Sequence, residues 1–193
     1  MILEGRLVRL EPLGLEHVPA LVAAAAESRE SYAFTPVPDG DAAMRAYVDD
    51  ALAETDHIPF ATRWLPRDRV VGTTRFKETT PWAWPPGHPH QRFDRPDIVS
   101  IGNTWLSASA QGSGVNTEAK LLMLTHAFDV WEVYLVRTRI DSRNERSRRA
   151  IERLGFTLEG IRRADMPGVD GVVRDSAQYS MTREECRYRR SRI

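Results

Sequence analysis

The chain has 193 residues, 27 Lys plus Arg against 27 Asp plus Glu, and a hydrophobic fraction of 41%. At roughly 100–200 residues per domain, this is one globular domain, expected over 1–183 with a basic tail at 184–193. Charge balance argues against a generally basic nucleic-acid binder. The lone Cys186 excludes an internal disulfide or a cysteine-built zinc cage. No apolar run reaches the roughly 18 residues of a spanning helix. The opening Met1-Ile-Leu-Glu-Gly-Arg6 lacks a charged-then-apolar signal pattern. A cytoplasmic protein with no membrane or nucleic-acid partner is the expectation.

In chain order, Leu7–Leu10 alternates apolar and polar and reads as a strand. Leu15–Arg29 is alanine-rich and helical, with Pro19 tolerable only in a first turn. Ser31–Gly40 reads as loop. Asp41–Glu54 reads as a second helix, with Asp41 its expected N-cap. Phe60–Leu65 and Val70–Lys77 read as a hairpin around Pro66–Arg69. Residues 80–97 hold five prolines together with Trp82, Trp84, His88, His90 and Phe93, a long loop inserted between strands. Such a loop serves equally as a surface excursion, a lid or the contact of a homodimer. His88 and His90 have no third ligand-type partner nearby, so no metal is expected.

Val99–Ser107 reads as a strand and Gln111–Asn116 as a glycine-containing turn. Thr117–Val130 then forms an amphipathic helix, with Thr117 as cap and Leu121, Leu124 and Phe128 on one face. Val133–Ile140 is a strand, and Glu145–Leu154 a helix stopped by Gly155. Thr157–Arg163 and Val173–Thr182 complete the set. This order predicts an α/β fold with a largely antiparallel sheet.

The net charge of zero is unevenly spread. Residues 11–61 carry ten acids and only Arg29 and Arg45, whereas residues 137–163 carry nine arginines and four acids. Solvated helix faces explain this as simply as a cationic-substrate end and an anionic-ligand end.

The most informative unit is a strand, then Gln111-Gly112-Ser113-Gly114-Val115-Asn116, then a helix. Glycines let backbone N–H groups converge on an anion, and the helix N-terminus adds its dipole. The turn is neither a Walker A loop, since Lys120 lies inside the helix, nor a dinucleotide fingerprint, since Thr117 stands where a third glycine belongs.

Further pieces follow in order: Gly72-Thr-Thr-Arg-Phe76 and Ile101-Gly-Asn-Thr-Trp-Leu106 before that turn, then Asn144-x-x-Ser147, Gly155-Phe156, Glu159-Gly160, Arg174-Asp175 and Tyr179-Ser180 after it. In this order and spacing the chain resembles the GCN5-related N-acetyltransferase (GNAT) superfamily, and in particular its branch that acetylates ribosomal-protein N-termini. The resemblance implies a mixed, mostly antiparallel sheet of about seven strands, two of them parallel and splayed, flanked by about four helices. It implies acetyl-CoA as cosubstrate, with pantetheine along the backbone of Thr104, Trp105 and Leu106. The pyrophosphate would meet the turn amides of Gly112 to Thr117, with Gln111 also in the cofactor site and Asn144 and Ser147 toward the pantetheine and the thioester end. The arginines at 143, 146, 148 and 149 would suit the ribose phosphate.

By the same resemblance, a primary amine attacks the acetyl thioester directly, with a base to deprotonate it and an acid to protonate the departing thiolate. Ser147 is the expected acid, because Ile151 stands where many relatives place a tyrosine. Ser100 stands where relatives often carry a basic glutamate, which leaves Asp165 as the expected base, with a water chain to Asp97 or Glu78 as the other route. A cationic amine is the expected acceptor, on a peptide N-terminus or a small molecule. Two alternatives stay open: a degenerate CoA-binding member that senses or scaffolds, and a nucleotide-binding module of another fold.

Overall fold

The computed structural model describes residues 1–79 and 81–190, so Thr80, at the start of the long loop, and 191–193, at the end of the basic tail, lie outside the described residues. The chain groups into two compact units, Met1–Arg75 with Gly102–Met123 and Phe76–Ile101 with Leu124–Ile193.

The first unit opens with β1 (Leu3–Glu4), a two-residue strand too short to show alternation in sequence, antiparallel to β2 (Val8–Pro12). β2 buries Val8 and Leu10 and pairs antiparallel with β3 (Ile58–Trp64), Val8 opposite Trp64 and Pro12 opposite Phe60. Helices α1 (Val18–Ala26) and α2 (Asp41–Ala53) follow the expected spans to within a turn, with Pro19 in the first turn of α1. The α2 cap differs from expectation. Gly40 is the N-cap at φ 79°, a conformation that favours glycine, and Asp41 is the first helical residue, where its charge suits the dipole. Leu13, Val18, Leu21, Met44, Val48, Ala61 and Trp105 form the core of this unit. Each large apolar side chain fully buried there contributes about 1.5–3 kcal/mol before entropy.

The hairpin from β3 to β4 (Arg69–Lys77) turns through Asp68 in the left-handed region at φ 41°. Gly72 in β4 has a steric reason: a Cβ there would lie 2.0 Å from the Trp105 carbonyl oxygen of β5 (Ile98–Leu106). Helix α3 (Val115–Thr125) begins two residues earlier than its periodicity suggests and runs into a π-helical turn, His126–Val130, where the Trp131 N–H donates back to the His126 carbonyl. Thr117 therefore lies inside the first turn and is not the cap. The buried stripe also differs: Val115, Ala119, Lys120, Met123 and Leu124 face inward, while Leu121 is 49% exposed.

The second unit contains β6 (Leu135–Asp141), α4 (Glu145–Leu154), β7 (Thr157–Pro167), β8 (Val173–Thr182) and α5 (Arg183–Arg190), which takes up most of the expected tail. β8 is antiparallel to both β6 and β7, and Ile98, Val99 and Ser100 of β5 pair in parallel with Leu135, Val136 and Arg137 of β6. Among the described residues, hydrogen bonding runs through eight strands in the order β1-β2-β3-β4-β5-β6-β8-β7, mostly antiparallel with one parallel pair. Val136, Ala177, Tyr179 and Met181 are essentially inaccessible in the centre of this unit.

As expected from its prolines, 81–97 forms neither helix nor strand. It is nevertheless tied down. The fully buried Asp97 carboxylate accepts from the Trp82 N–H at 2.8 Å and from Arg92 at 3.0 Å, and the Asp97 carbonyl accepts from the Tyr134 N–H. Trp82 stacks on Tyr134 and Trp84 on His88, each with planes 10° apart. Phe93 remains 82% exposed.

Candidate acyl-CoA site

In the first unit, the turn after β5 is held from below. Gln111 donates to the Ser31 hydroxyl and to the Leu106 carbonyl, both at 3.0 Å, and the Ser113 hydroxyl donates to the Ala110 carbonyl at 2.6 Å. Gly112 and Gly114 are both left-handed, at φ 73° and 89°, and exposed. A Cβ on Gly112 would meet nothing within 4 Å, and one on Gly114 only Leu7, at 3.5 Å. The first main-chain bond of α3 runs from the Glu118 N–H to the Gly114 carbonyl, so Val115, Asn116 and Thr117 occupy the N-terminal turn whose amides have no helical acceptor. The Val115 N–H has a long contact of 3.4 Å to the Ser113 hydroxyl. Among the described residues, the buried Oδ1 of Asn116 has no hydrogen-bond partner. An open turn followed by a helix start is the right chemistry for a pyrophosphate.

Glu118 does more than complement the dipole. Its carboxylate accepts the N–H groups of Arg6, Leu7 and Val8 at 3.1, 2.6 and 2.7 Å, tying the start of β2 to the first turn of α3.

β5 carries the expected pantetheine residues. Asn103, at φ 49°, puts a left-handed residue within the strand and changes its course just before Thr104. Trp105 is 4% exposed and belongs to the core, and the Leu106 carbonyl already accepts from the Tyr32 hydroxyl at 3.1 Å and from Gln111. Thr104 leads to a residue that the sequence reading missed. Its hydroxyl accepts from Lys120 Nζ at 2.6 Å, and Nζ also donates to the Thr74 hydroxyl at 3.1 Å. Burial pushes the Lys120 amine down to about 7. Its signal was present in the sequence: Lys120 falls on the apolar spacing of α3 beside Ala119 and Met123.

In the second unit, Asn144 caps α4 by accepting the Ser147 N–H at 3.1 Å, so the two residues expected together are in direct contact. The arginines nearby are largely committed. Arg143 grips Asp141 and Asp170 at 2.8 and 2.6 Å, Arg148 donates to the Tyr179 hydroxyl and the Ser142 carbonyl, and Arg149 pairs with Glu145 one turn away. Tyr179 in turn donates to Glu152 at 2.6 Å, closing a network between α4 and β8.

The carboxylates considered for base catalysis stand in different surroundings. Burial pushes Asp165 up, but a Ser176 hydrogen bond and Arg139, Arg162 and Arg174 more than reverse this and hold it below its ordinary value. Burial likewise pushes Asp97 up, but the Trp82 N–H and Arg92 outweigh it, and the carboxylate serves as the anchor of the loop. Glu78 is exposed at φ 56°, and its carboxylate accepts the Ser100 hydroxyl at 2.6 Å. No described helix is long and apolar enough to cross a membrane.

Residues 7–157 match the family described as Acetyltransferase (GNAT) domain. A solved structure from T. thermophilus, provisionally described as an acetyltransferase, is similar with a TM-score of 0.79 and 34% identity, covering 99% of this chain and 94% of that one. A GCN5-related N-acetyltransferase from Brucella melitensis gives a TM-score of 0.81 and 28% identity over 96% and 80% of the two chains. The Bacillus subtilis protein YdaF, provisionally named a ribosomal N-acetyltransferase, is 35% identical over 81 residues, which are 42% of this chain and 44% of that protein.

Proposed function

The chain belongs to the GNAT acetyltransferase family, and from that premise we propose that it transfers an acetyl group from acetyl-CoA to a cationic primary amine. The observation that carries the reading is the Gln111–Gly114 turn, two exposed left-handed glycines before the first turn of α3, where among the described residues an added Cβ would meet only Leu7 within 4 Å. That cradle fits the diphosphate of coenzyme A, whose charge would be met by N–H dipoles rather than by a side chain.

The chain's own residues then have these proposed roles. The backbone from Thr104 to Leu106 lies along the pantetheine arm, with Thr104 fixed by Lys120. Ser147 gives the proton to the departing thiolate, and Asn144 holds the start of α4 so that Ser147 stays in place. Asp165, the base expected from sequence, is surrounded by arginines. We favour Glu78 as the group that takes the proton from the attacking amine, because its carboxylate is exposed and joined to the Ser100 hydroxyl of β5. The cosubstrate supplies the activated acyl carbon, so no covalent enzyme intermediate is needed.

Acceptor charge is read from the first unit. Of the ten acids between residues 11 and 61, Glu11 and Glu27 are paired with Arg63 and Arg69, while Glu16, Glu30, Asp39, Asp41, Asp49, Asp50 and Glu54 stand exposed. Such a surface raises the local concentration of an amine that arrives as a cation. A basic protein N-terminus, in keeping with the name of the Bacillus relative, and a small polyamine are the two acceptor forms to compare. Thiol release from acetyl-CoA with a panel of basic and acidic peptides, polyamines and amino acids tests this. We expect turnover with the cationic members and a Michaelis constant that rises several-fold with salt. Preference for an acidic acceptor overturns the charge argument, and no thiol release with any amine overturns the enzymatic one.

A further inference from the structure

Lys120 is a buried amine with no part in the proton transfers proposed above. It is 5% exposed, and its Nζ donates to the Thr104 hydroxyl of β5 at 2.6 Å and to the Thr74 hydroxyl of β4 at 3.1 Å. Those two hydroxyls are 2.8 Å apart, so groups from α3, β5 and β4 close a triangle inside the first unit. Among the described residues no carboxylate offsets the burial of the amine. The hydrogen count suits a neutral amine. Its two N–H groups fill two edges and a threonine hydroxyl fills the third, whereas an ammonium brings another N–H for which the triangle has no acceptor.

Such a group is costly in a core, since methionine fills a similar volume with no polar atom to desolvate. What it holds is the bend of β5. Asn103 is left-handed at φ 49° within that strand, a strained state of the kind that marks ligand clamps and that needs neighbours to maintain it. Thr73 and Thr74, adjacent in β4 and therefore on opposite faces, supply them. The Thr73 hydroxyl donates to the Asn103 carbonyl at 3.3 Å and lies 2.8 Å from the Tyr47 hydroxyl of α2. On the other face, Thr74 and Lys120 hold Thr104, the next residue of β5.

We propose that Lys120 is a positioning residue for acyl-CoA binding: through the Thr104 hydroxyl it fixes the bend of β5, and with it the backbone from Thr104 to Leu106 that lies along the pantetheine arm. This rests on the acetyl-CoA reading above and extends it to a residue that acts through Thr104. Calorimetry of the full chain with coenzyme A, which needs no acceptor and no turnover, tests it. Lys120→Met should weaken binding about ten-fold, while its melting temperature near neutrality stays at or above the parent's. A substitution that merely loosened the core would lower both. Thr104→Val should weaken binding by a similar factor, and Thr104→Ser, which keeps the hydroxyl, should bind like the parent. Lys120→Met combined with Thr104→Val should bind no more weakly than the weaker single variant, because both remove the same link. Parent-like binding in Lys120→Met, or losses that multiply in the double variant, overturns the proposal while the acetyl-CoA reading stands. Should Lys120→Met not fold, equal binding by the valine and serine variants of Thr104 overturns it instead. A parent chain that does not bind coenzyme A overturns both.

Discussion

The Ser100 hydroxyl donates to the Glu78 carboxylate at 2.6 Å, which brings an acid from the residue just beyond β4 to a serine of β5. Glu78 is left-handed, a conformation that costs a non-glycine residue of order 1 kcal/mol and persists only where its surroundings enforce it. If Glu78 accepts the amine's proton, Glu78→Gln should lower kcat by about 10²-fold or more, with acetyl-CoA affinity and melting temperature near the parent's. Asp165→Asn should instead act on stability, since it breaks ion pairs with Arg139 and Arg162. Near-full turnover in Glu78→Gln would return the role to another group.

Gly112 and Gly114 supply a second prediction. Gly114→Val should weaken acetyl-CoA binding at least ten-fold in calorimetry, because the side chain would stand over the amides and strain a backbone at φ 89°. Gly112→Ala, on the open side of the turn, should produce a smaller loss in the same direction. Unchanged affinity in both folded variants would remove the pyrophosphate from this turn.

For Ser147, the hydroxyl and the backbone can be separated. Asn144 holds the Ser147 N–H and not its side chain, so Ser147→Ala leaves the cap of α4 intact. Turnover should fall more than cofactor affinity, since a proton donor acts in the transition state. Equal losses would make Ser147 a binding residue. Asn144→Ala, by contrast, should lower stability by about 1 kcal/mol.

Lys120 makes stability depend on pH. Its amine is held at about 7 in the folded protein against an ordinary 10.5. Between those values the unfolded chain carries a proton that the folded one lacks, so stability rises as pH rises, by up to about 1.4 kcal/mol per unit. Below about 7 the penalty is fully present and constant. Lys120→Met should therefore be more stable than the parent near neutrality and lose most of the slope between pH 7.5 and 9.5 in urea unfolding. Parallel slopes in the two proteins would show that Lys120 does not titrate there.

Much of the fold was legible because its signals are local. Gly155 stops α4 at the expected residue, with φ 98°, and the prolines of 81–97 exclude regular structure. The start of α3 was misplaced because the Thr117–Glu118 pair imitates a cap. In fact Glu118 binds amides more than a hundred residues earlier in the chain, which no local pattern reveals. Leu121 looked like core by spacing and is exposed, whereas Lys120 looked like surface by chemistry and is buried: residue type and period disagreed, and the period was right for one position and the type for neither. In the site, the turn could be read from its glycines, but the occupancy of Arg143 and Arg148 could not, since their partners Asp170 and Tyr179 arrive from later in the chain.

The Glu118 carboxylate holds the Leu7 and Val8 amides with short bonds, and Leu7 is the side chain nearest Gly114. Protons in such bonds are strongly deshielded, so these two amides should stand apart at the low-field edge of a nitrogen–proton spectrum. They sit beside the glycine turn without belonging to it, which makes them a built-in gauge. A filled turn would be visible there at once, with no added reporter group, no acceptor and no turnover.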